Sequence, residues 1–329
     1  MTTLGIRPYR PDDAAAWRAH LATANNATLF HDLDFLAYHP PGRFDFHHLI
    51  ATRGGRIEAV LPGFVRADGF FVSPAGASIG GPVVGRSFGA ELAIELIGAL
   101  QAYALERRWS GIELTIPPPV YHQSPNQVLE FALHAKGFWL AHRSMPLMVP
   151  LDGDAPGRYQ QLFNERKRSR VRASWGMGVT TREAGIESFA TFIELFEDTY
   201  GRLGETPTHT PAEIEWLLRR FPDCIRLRMA WVGDTAIAGV LLFELNARIA
   251  NTFYICDRAS HRDFNGMTAL FADLIDAAAA RGFRYIDLGP SASSRHFNRG
   301  VVNFKQQLGA VGFCRDCWRW DVSKGSSAP

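Results

Sequence analysis

Two stretches of the chain carry an apolar period that predicts helices. Leu92, Ile94, Leu96, Ile97 and Leu100 form one set, and Leu270, Phe271, Leu274 and Ile275 the other, each placing an apolar stripe on one helical face. Both predicted helices run into a basic or glycine stop and then a short strand with an acidic residue before leucine. The first block is Ala104–Leu114, with Glu113 in the acidic position, and the second is Ala278–Leu288, with Asp287. Upstream of each lies a buried-strand pattern, Arg56–Leu61 and Ala236–Leu241, introduced by Gly54-Gly55 and Gly233-Asp234 as hairpin turns. Paired blocks in the same order indicate a diverged duplication.

Within each half the order is strand, helix, strands, helix, strand. Strands joined through a helix imply an α/β fold: two tandem domains, each a mixed twisted sheet flanked by helices, with at least one parallel pair. Such a pair can part and present backbone groups to a substrate, and the N termini of the flanking helices favour anions. Met145–Leu151 reads as a strand, followed by the turn-rich Asp152–Gly157. The expected division is therefore 1–144 and 145–322, with the active site in the second domain and a disordered tail over 323–329.

The length, 329 residues, agrees with this division, because single cores stop growing at about 250–300 residues. With 47% hydrophobic and 21% charged residues, the chain can fill two cores. A net charge of +2 gives no global drive toward DNA or an anionic membrane. No basic-then-apolar leader opens the sequence, and no apolar run reaches the ~18 residues of a membrane span, so a cytoplasmic location is expected. Cys314 and Cys317 supply only two ligands where structural zinc takes four, and the pair falls in a predicted final strand; no metal is expected. Phosphate loops, H-E-x-x-H and G-x-S-x-G are absent. His47 and His48 sit in an alternating strand pattern, which favours packing or exposure over metal binding.

Four segments together resemble one family. They are Ala27–Leu36; the glycine loop Ser78–Pro82; the basic helix Asn164–Val179; and Tyr285–Gly289 with Val302–Ala310, which carry Asp-x-Gly and Phe-Lys-x-x-x-Gly. The chain resembles the FemAB-like branch of the GNAT superfamily, whose members acylate amino groups. The resemblance implies an N-acyltransferase that moves an acyl group, from acyl-CoA as co-substrate, to a primary amine of an amino sugar or cell-envelope precursor. There is a departure. GNAT enzymes that use acetyl-CoA carry [Q/R]-x-x-G-x-[G/A] at the helix receiving the pyrophosphate. Here Arg262–Met267 has Asn265 and Met267 in the two small positions, with Gly266 between them. Asn tolerates positive φ, whereas Met267 crowds a phosphate.

Lys305 follows an aromatic, Phe304, between apolar positions, and a fixed cation there would stabilise an oxyanion; the plain alternative is a solvated lysine covering Phe304. Asp287 ends a buried strand, where a carboxylate can relay a proton or cap the next loop. Tyr254 is a candidate proton donor or a packing residue. In the basic run Arg166, Lys167, Arg168, Arg170 and Arg172, Arg166 with Arg170 and Arg168 with Arg172 form two like-charged stripes that call for compensation, by acidic side chains, by solvent or by a phosphate-bearing substrate; Lys167 and Arg170 are taken as substrate-binding. His209, in a proline-rich loop, and Arg295 and Arg299, in the polar loop between the two strongest signatures, complete the substrate-binding set with Phe304, and Arg262, Asn265 and Gly266 are taken as cofactor-binding. Two alternatives remain. An aminoacyl-tRNA donor lacks both the heptad-patterned arm of bridge-forming relatives and an RNA-binding signature, so tRNA is the least supported partner. A catalytically silent binding module fits the altered Arg262–Met267 turn.

Overall fold

The computed structural model describes residues 3–152, 156–294 and 296–324. The chain separates into two units: Met1–Ser144 with Cys314–Pro329, and Met145–Phe313.

The first unit contains β1 (Gly5–Pro8), α1 (Ala14–Thr23), α2 (Leu33–Leu36), β2 (Leu49–Arg53), β3 (Arg56–Leu61), β4 (Phe64–Val65), β5 (Phe70–Ser73), β6 (Val83–Val84), α3 (Ala90–Glu106), β7 (Gly111–Thr115), α4 (Val128–Ala135) and the first half of β8 (Trp139–Pro150). The second continues through β8 to α5 (Arg158–Leu162), α6 (Glu165–Gly176), β9 (Val179–Ala184), α7 (Phe189–Leu203), α8 (Pro211–Arg220), β10 (Ile225–Val232), β11 (Thr235–Asn246), β12 (Ile249–Asp257), α9 (Gly266–Ala280), β13 (Tyr285–Ser293), β14 (His296–Phe297), α10 (Arg299–Gln306) and β15 (Val311–Gly312). The chain then returns to the first unit as β16 (Arg315–Asp321).

In the first unit β1-β2-β3-β6 form one antiparallel sheet, and β4-β5-β7-β16-β8 form a second. β5 and β7 are parallel, in register from Phe70 opposite Gly111 to Ser73 opposite Leu114. Beyond that register the Gly80 amide donates to the Thr115 carbonyl at 2.8 Å, and the Gly81 amide donates to Ser73 Oγ at 2.8 Å. The apolar stripe of α3 is buried on this sheet, with Leu96, Ile97 and Leu100 packed against Ile112 and Leu114. Strand β16 pairs with β7 and with the first half of β8. The sequence reading runs the second domain to 322, whereas this strand completes the first unit. Its partners lie more than 170 residues away, beyond the reach of local pattern. Cys314 and Cys317 are free thiols at its start. His47 and His48 precede β2 rather than lying within a strand; His48 Nδ1 accepts from the Gly63 amide at 3.1 Å.

In the second unit the order is β8-β13-β12-β11-β10-β9. α9 is buried across its face, with Leu270, Phe271, Leu274 and Ile275 in one cluster with Val240, Leu242 and Ile286. β12 and β13 are parallel for three residues only, Ile249–Asn251 against Tyr285–Asp287, although both strands run on. Their parting opens the sheet next to α10. Among the described residues no helix is long and apolar enough to cross a membrane, and no group of three or more potential metal ligands forms. Residues 153–155, Arg295 and most of the expected tail, 325–329, lie outside the described residues.

Candidate active site

Gly289 marks the point where β13 bends away. Its φ of +74° is a conformation that side chains disfavour. Both of its peptide groups are held. Its amide donates to Asp287 Oδ1 at 2.7 Å, and its carbonyl accepts from Lys305 Nζ at 2.9 Å. Asp287 is 3% and Lys305 5% exposed. One strand further, Asn251 Nδ2 and Thr252 Oγ1 donate to the Asp287 carbonyl at 3.2 and 3.3 Å. This brings Asp287 and Lys305 together across one residue. The solvated-lysine alternative fails for Lys305, because α10 buries one face and Lys305 falls on it with Val302. Burial lowers the Lys305 pKa to about 8 against the opposing pull of Asp287. The repeat counterpart Glu113 is instead a strand carboxylate paired with Arg66 and Arg319, each at 3.4 Å.

Beside this centre lies a cleft of about 420 Å³, lined by Lys167, Arg170, Ile255, Arg258, Arg262, Asn265, Gly266, Met267 and Phe304 among others. It opens at the N terminus of α9. Asn265 precedes that helix at φ +54° and ψ +29°, and no side chain caps it. Helix N-terminal amides left in this way favour an anion. A Cβ at Gly266 would stand 2.5 Å from Ile237 Cδ1, so a side chain there would push Ile237 aside. Asp257 is an acid on the cleft wall, bound by Arg262 Nε at 2.5 Å and Arg202 Nη2 at 2.8 Å. Burial pushes its carboxyl up, but these two hydrogen bonds outweigh burial and hold it below the usual range.

The basic helix α6 divides by face. Arg168 and Arg172 both reach Glu165 at 2.9 Å, so one of the two stripes is compensated within its own helix. Lys167 and Arg170 face the cleft. Lys167 is 3% exposed, with Nζ 4.5 Å from the centre of the Phe304 ring. Burial, with Arg170 and Arg166 nearby, lowers its pKa to about 8. It is this lysine, not Lys305, that covers Phe304. The buried face of α6 carries Lys167, Val171 and Ser174, and the polar identity of Lys167 and Ser174 hides that stripe from a reading based on hydrophobicity.

Tyr254 lies on β12 next to the cleft-lining Ile255 but does not itself line the cleft; its ring packs against Phe196 and Tyr200 of α7. Its hydroxyl accepts from the His209 amide at 3.0 Å and shares a 2.8 Å hydrogen bond with His209 Nδ1. Burial raises the Tyr254 pKa and lifts that of its ring neighbour Tyr200 to about 12. His209, in its proline-rich loop, is only 2% exposed because this bond draws it inward. Arg299 begins α10 on the exposed surface and does not line the cleft. A second cleft, of about 380 Å³ on the outer strands, is lined by Glu183, Arg219 and Arg226 among others and shares no residue with the first. Sequence reasoning missed Asn251 and Thr252, which hold the Asp287 carbonyl from the neighbouring strand, and Asp257, which holds Arg262.

No protein of curated function matches the chain in sequence. The family model described as an acetyltransferase (GNAT) domain matches residues 159–305. The fold is that of FemX, at 13% identity and a TM-score of 0.72 over 97% of this chain and 98% of that one. L-PGS from Bacillus licheniformis shares it at 11% identity and a TM-score of 0.62, over 96% and 93%. So does a tandem GNAT protein from the clavulanic acid biosynthesis pathway, at 11% identity and a TM-score of 0.54, over 99% and 100%. Residues 159–305 of the second unit thus carry a match to a GNAT acetyltransferase domain, which supports an acyltransferase, and the chain shares its fold with FemX and L-PGS.

Proposed function

We propose that the chain transfers an acyl group from an acyl-CoA thioester to a primary amine of an amino sugar or cell-envelope precursor. The observation that carries this reading is the cation-walled cleft at the uncapped N terminus of α9, beside the parted strands β12 and β13. Arg262, Asn265 and Gly266 would hold the diphosphate of the donor, with Lys167 and Arg170 opposite. The residues fit such a group: Asn265 supplies the left-handed turn that glycine gives elsewhere, and the cleft walls supply the charge.

The acceptor amine attacks the thioester carbonyl, the C–N bond forms, and the C–S bond breaks as the thiol leaves. Lys305, protonated below about pH 8, is the cation for the tetrahedral oxyanion. Asp287, directly or through water, takes the proton shed by the amine. One preorganised donor of this kind is worth about 3–4 kcal/mol of barrier. Tyr254, held by His209, is the proton donor to the leaving thiolate. Arg299, exposed at the start of α10, would meet an acceptor's carboxylate or phosphate.

The test is thermal melting of the purified chain with CoA, acetyl-CoA, longer acyl-CoAs and UDP-sugars. A ligand at about a hundred times its Kd stabilises by roughly 2.7 kcal/mol, so a CoA-dependent rise of a few degrees is expected. A rise with UDP-sugars alone would overturn the thioester donor.

A further inference from the structure

A cleft that takes a diphosphate should have no acid in its wall, yet Asp257, the last residue of β12, lines this one. An uncompensated carboxylate there would repel the ligand. Its main chain is fixed to α7, which contributes nothing to the cleft lining. The Asp257 amide donates to Thr199 Oγ1 at 3.0 Å. The Asp257 carbonyl accepts from that hydroxyl at 3.2 Å and from Arg202 Nη2 at 2.7 Å. Arg202 Nη2 also reaches Asp257 Oδ1 at 2.8 Å, and Arg202 is braced by Asp198, one turn back, at 3.4 Å. The carboxylate is therefore pinned in place.

Arg262 is the movable partner. Its side chain is 58% exposed, against 24% for Asp257, and its hydrogen bonds go to the two carboxylate oxygens at 2.5 and 3.2 Å. Arg258, on the same loop, is tied down by Glu194 and by the Ala236 carbonyl, each at 3.0 Å. Across the cleft, Lys167 and Arg170 have no ion-pair partner among the described residues, in contrast to Arg168 and Arg172. An exposed ion pair contributes little to stability, whereas a guanidinium on a phosphate makes strong, paired hydrogen bonds.

We propose that Asp257 is a specificity-determining residue, which holds Arg262 in the empty cleft and yields it only to a diphosphate. The proposal rests on the diphosphate reading of the cleft. Donor binding is then an exchange of anions on one guanidinium. Asp257 stays where α7 fixes it, with Oδ1 still on Arg202, so the exchange strands no carboxylate. The arrangement filters by charge. A single phosphate gains little by replacing a carboxylate already in place. A diphosphate presents two charged groups, one for Arg262 and one for the α9 amides with Lys167 and Arg170.

The experiment is calorimetry at one fixed low salt concentration, with CoA, 4′-phosphopantetheine and inorganic pyrophosphate as ligands. The proteins are the wild-type chain, Asp257→Asn, Arg262→Gln and the double variant. Asp257→Asn should bind CoA and pyrophosphate about five- to tenfold tighter. 4′-Phosphopantetheine should gain more, so the preference for CoA over it narrows. In the Arg262→Gln background the same change should gain several-fold less, since no guanidinium is left to release. Melting without ligand checks folding, and Asp257→Ser is read in the same way if the Asn variant does not fold. Unchanged or weaker binding in a folded variant, or a gain equal with and without Arg262, overturns the exchange and leaves the thioester reading standing. Tighter, Arg262-dependent pyrophosphate binding without CoA binding keeps the exchange and overturns the thioester donor. Binding of neither ligand to any variant overturns both.

Discussion

Replacing Lys305 with Met separates what the residue costs from what it does. Its pKa falls from an ordinary 10.5 to about 8 on burial. That difference corresponds to about 3 kcal/mol. The unfolded chain therefore binds more protons between about pH 8 and pH 10.5, and stability rises with pH through this window. Below about pH 8 the full penalty is present; above 10.5 it is gone. Lys305→Met removes the penalty and also the 2.9 Å bond to the Gly289 carbonyl, worth about 1 kcal/mol. The variant should be about 2 kcal/mol more stable at pH 7, with the advantage shrinking as pH approaches 10. Urea unfolding of both proteins at the two pH values measures this, and the Lys167 contribution cancels in the difference. A Met variant that is less stable at pH 7, or a gap that does not close by pH 10, would refute the reasoning.

The same variant should lose about a hundredfold or more in acyl transfer, read as kcat once an acceptor is in hand; full activity would remove Lys305 from the chemistry. For the wild type, kcat should decline above about pH 8 as Lys305 loses its proton, and Lys305→Arg should move that decline to higher pH. Asp287→Asn keeps an acceptor for the Gly289 amide but cannot take a proton, so kcat should fall about a hundredfold or more with little change in melting temperature; a large melting loss with kcat intact would make the residue structural. Gly266→Ala forces a methyl to 2.5 Å from Ile237 Cδ1 and should cost about 1–3 kcal/mol in urea unfolding, while weakening CoA binding by calorimetry.

The parts of the fold written in local periodicity were legible. The helices α3 and α9 follow from their stripes, and β3, β7, β11 and β13 from apolar runs set between turn residues. The return of β16 to the first unit was not legible, because its pairing with Gly111–Thr115 is decided by distant strands. In the candidate site, Lys305 and Asp287 stood out by motif and neighbourhood. Lys167 was visible as charge but not as burial, since a lysine on the inner face of α6 breaks the hydrophobic pattern that reveals such faces. His209 reads as a loop histidine until the Tyr254 hydroxyl is seen beside it.

The treatment of the parallel strands in the first unit has a consequence for how a duplicated scaffold divides its work. There, the carbonyl of Thr115 is taken by the Gly80 amide, one main-chain group answering another, with no proton that moves near neutral pH. In the second unit the carbonyl of Gly289 is taken by an ammonium. An amide partner makes a fixed joint whose strength is the same at every pH a cell meets. An ammonium partner makes a joint whose charge, and with it part of its strength, falls away as pH rises through about 8. The first half of the chain is thus built as masonry, and the second keeps its equivalent seam reversible.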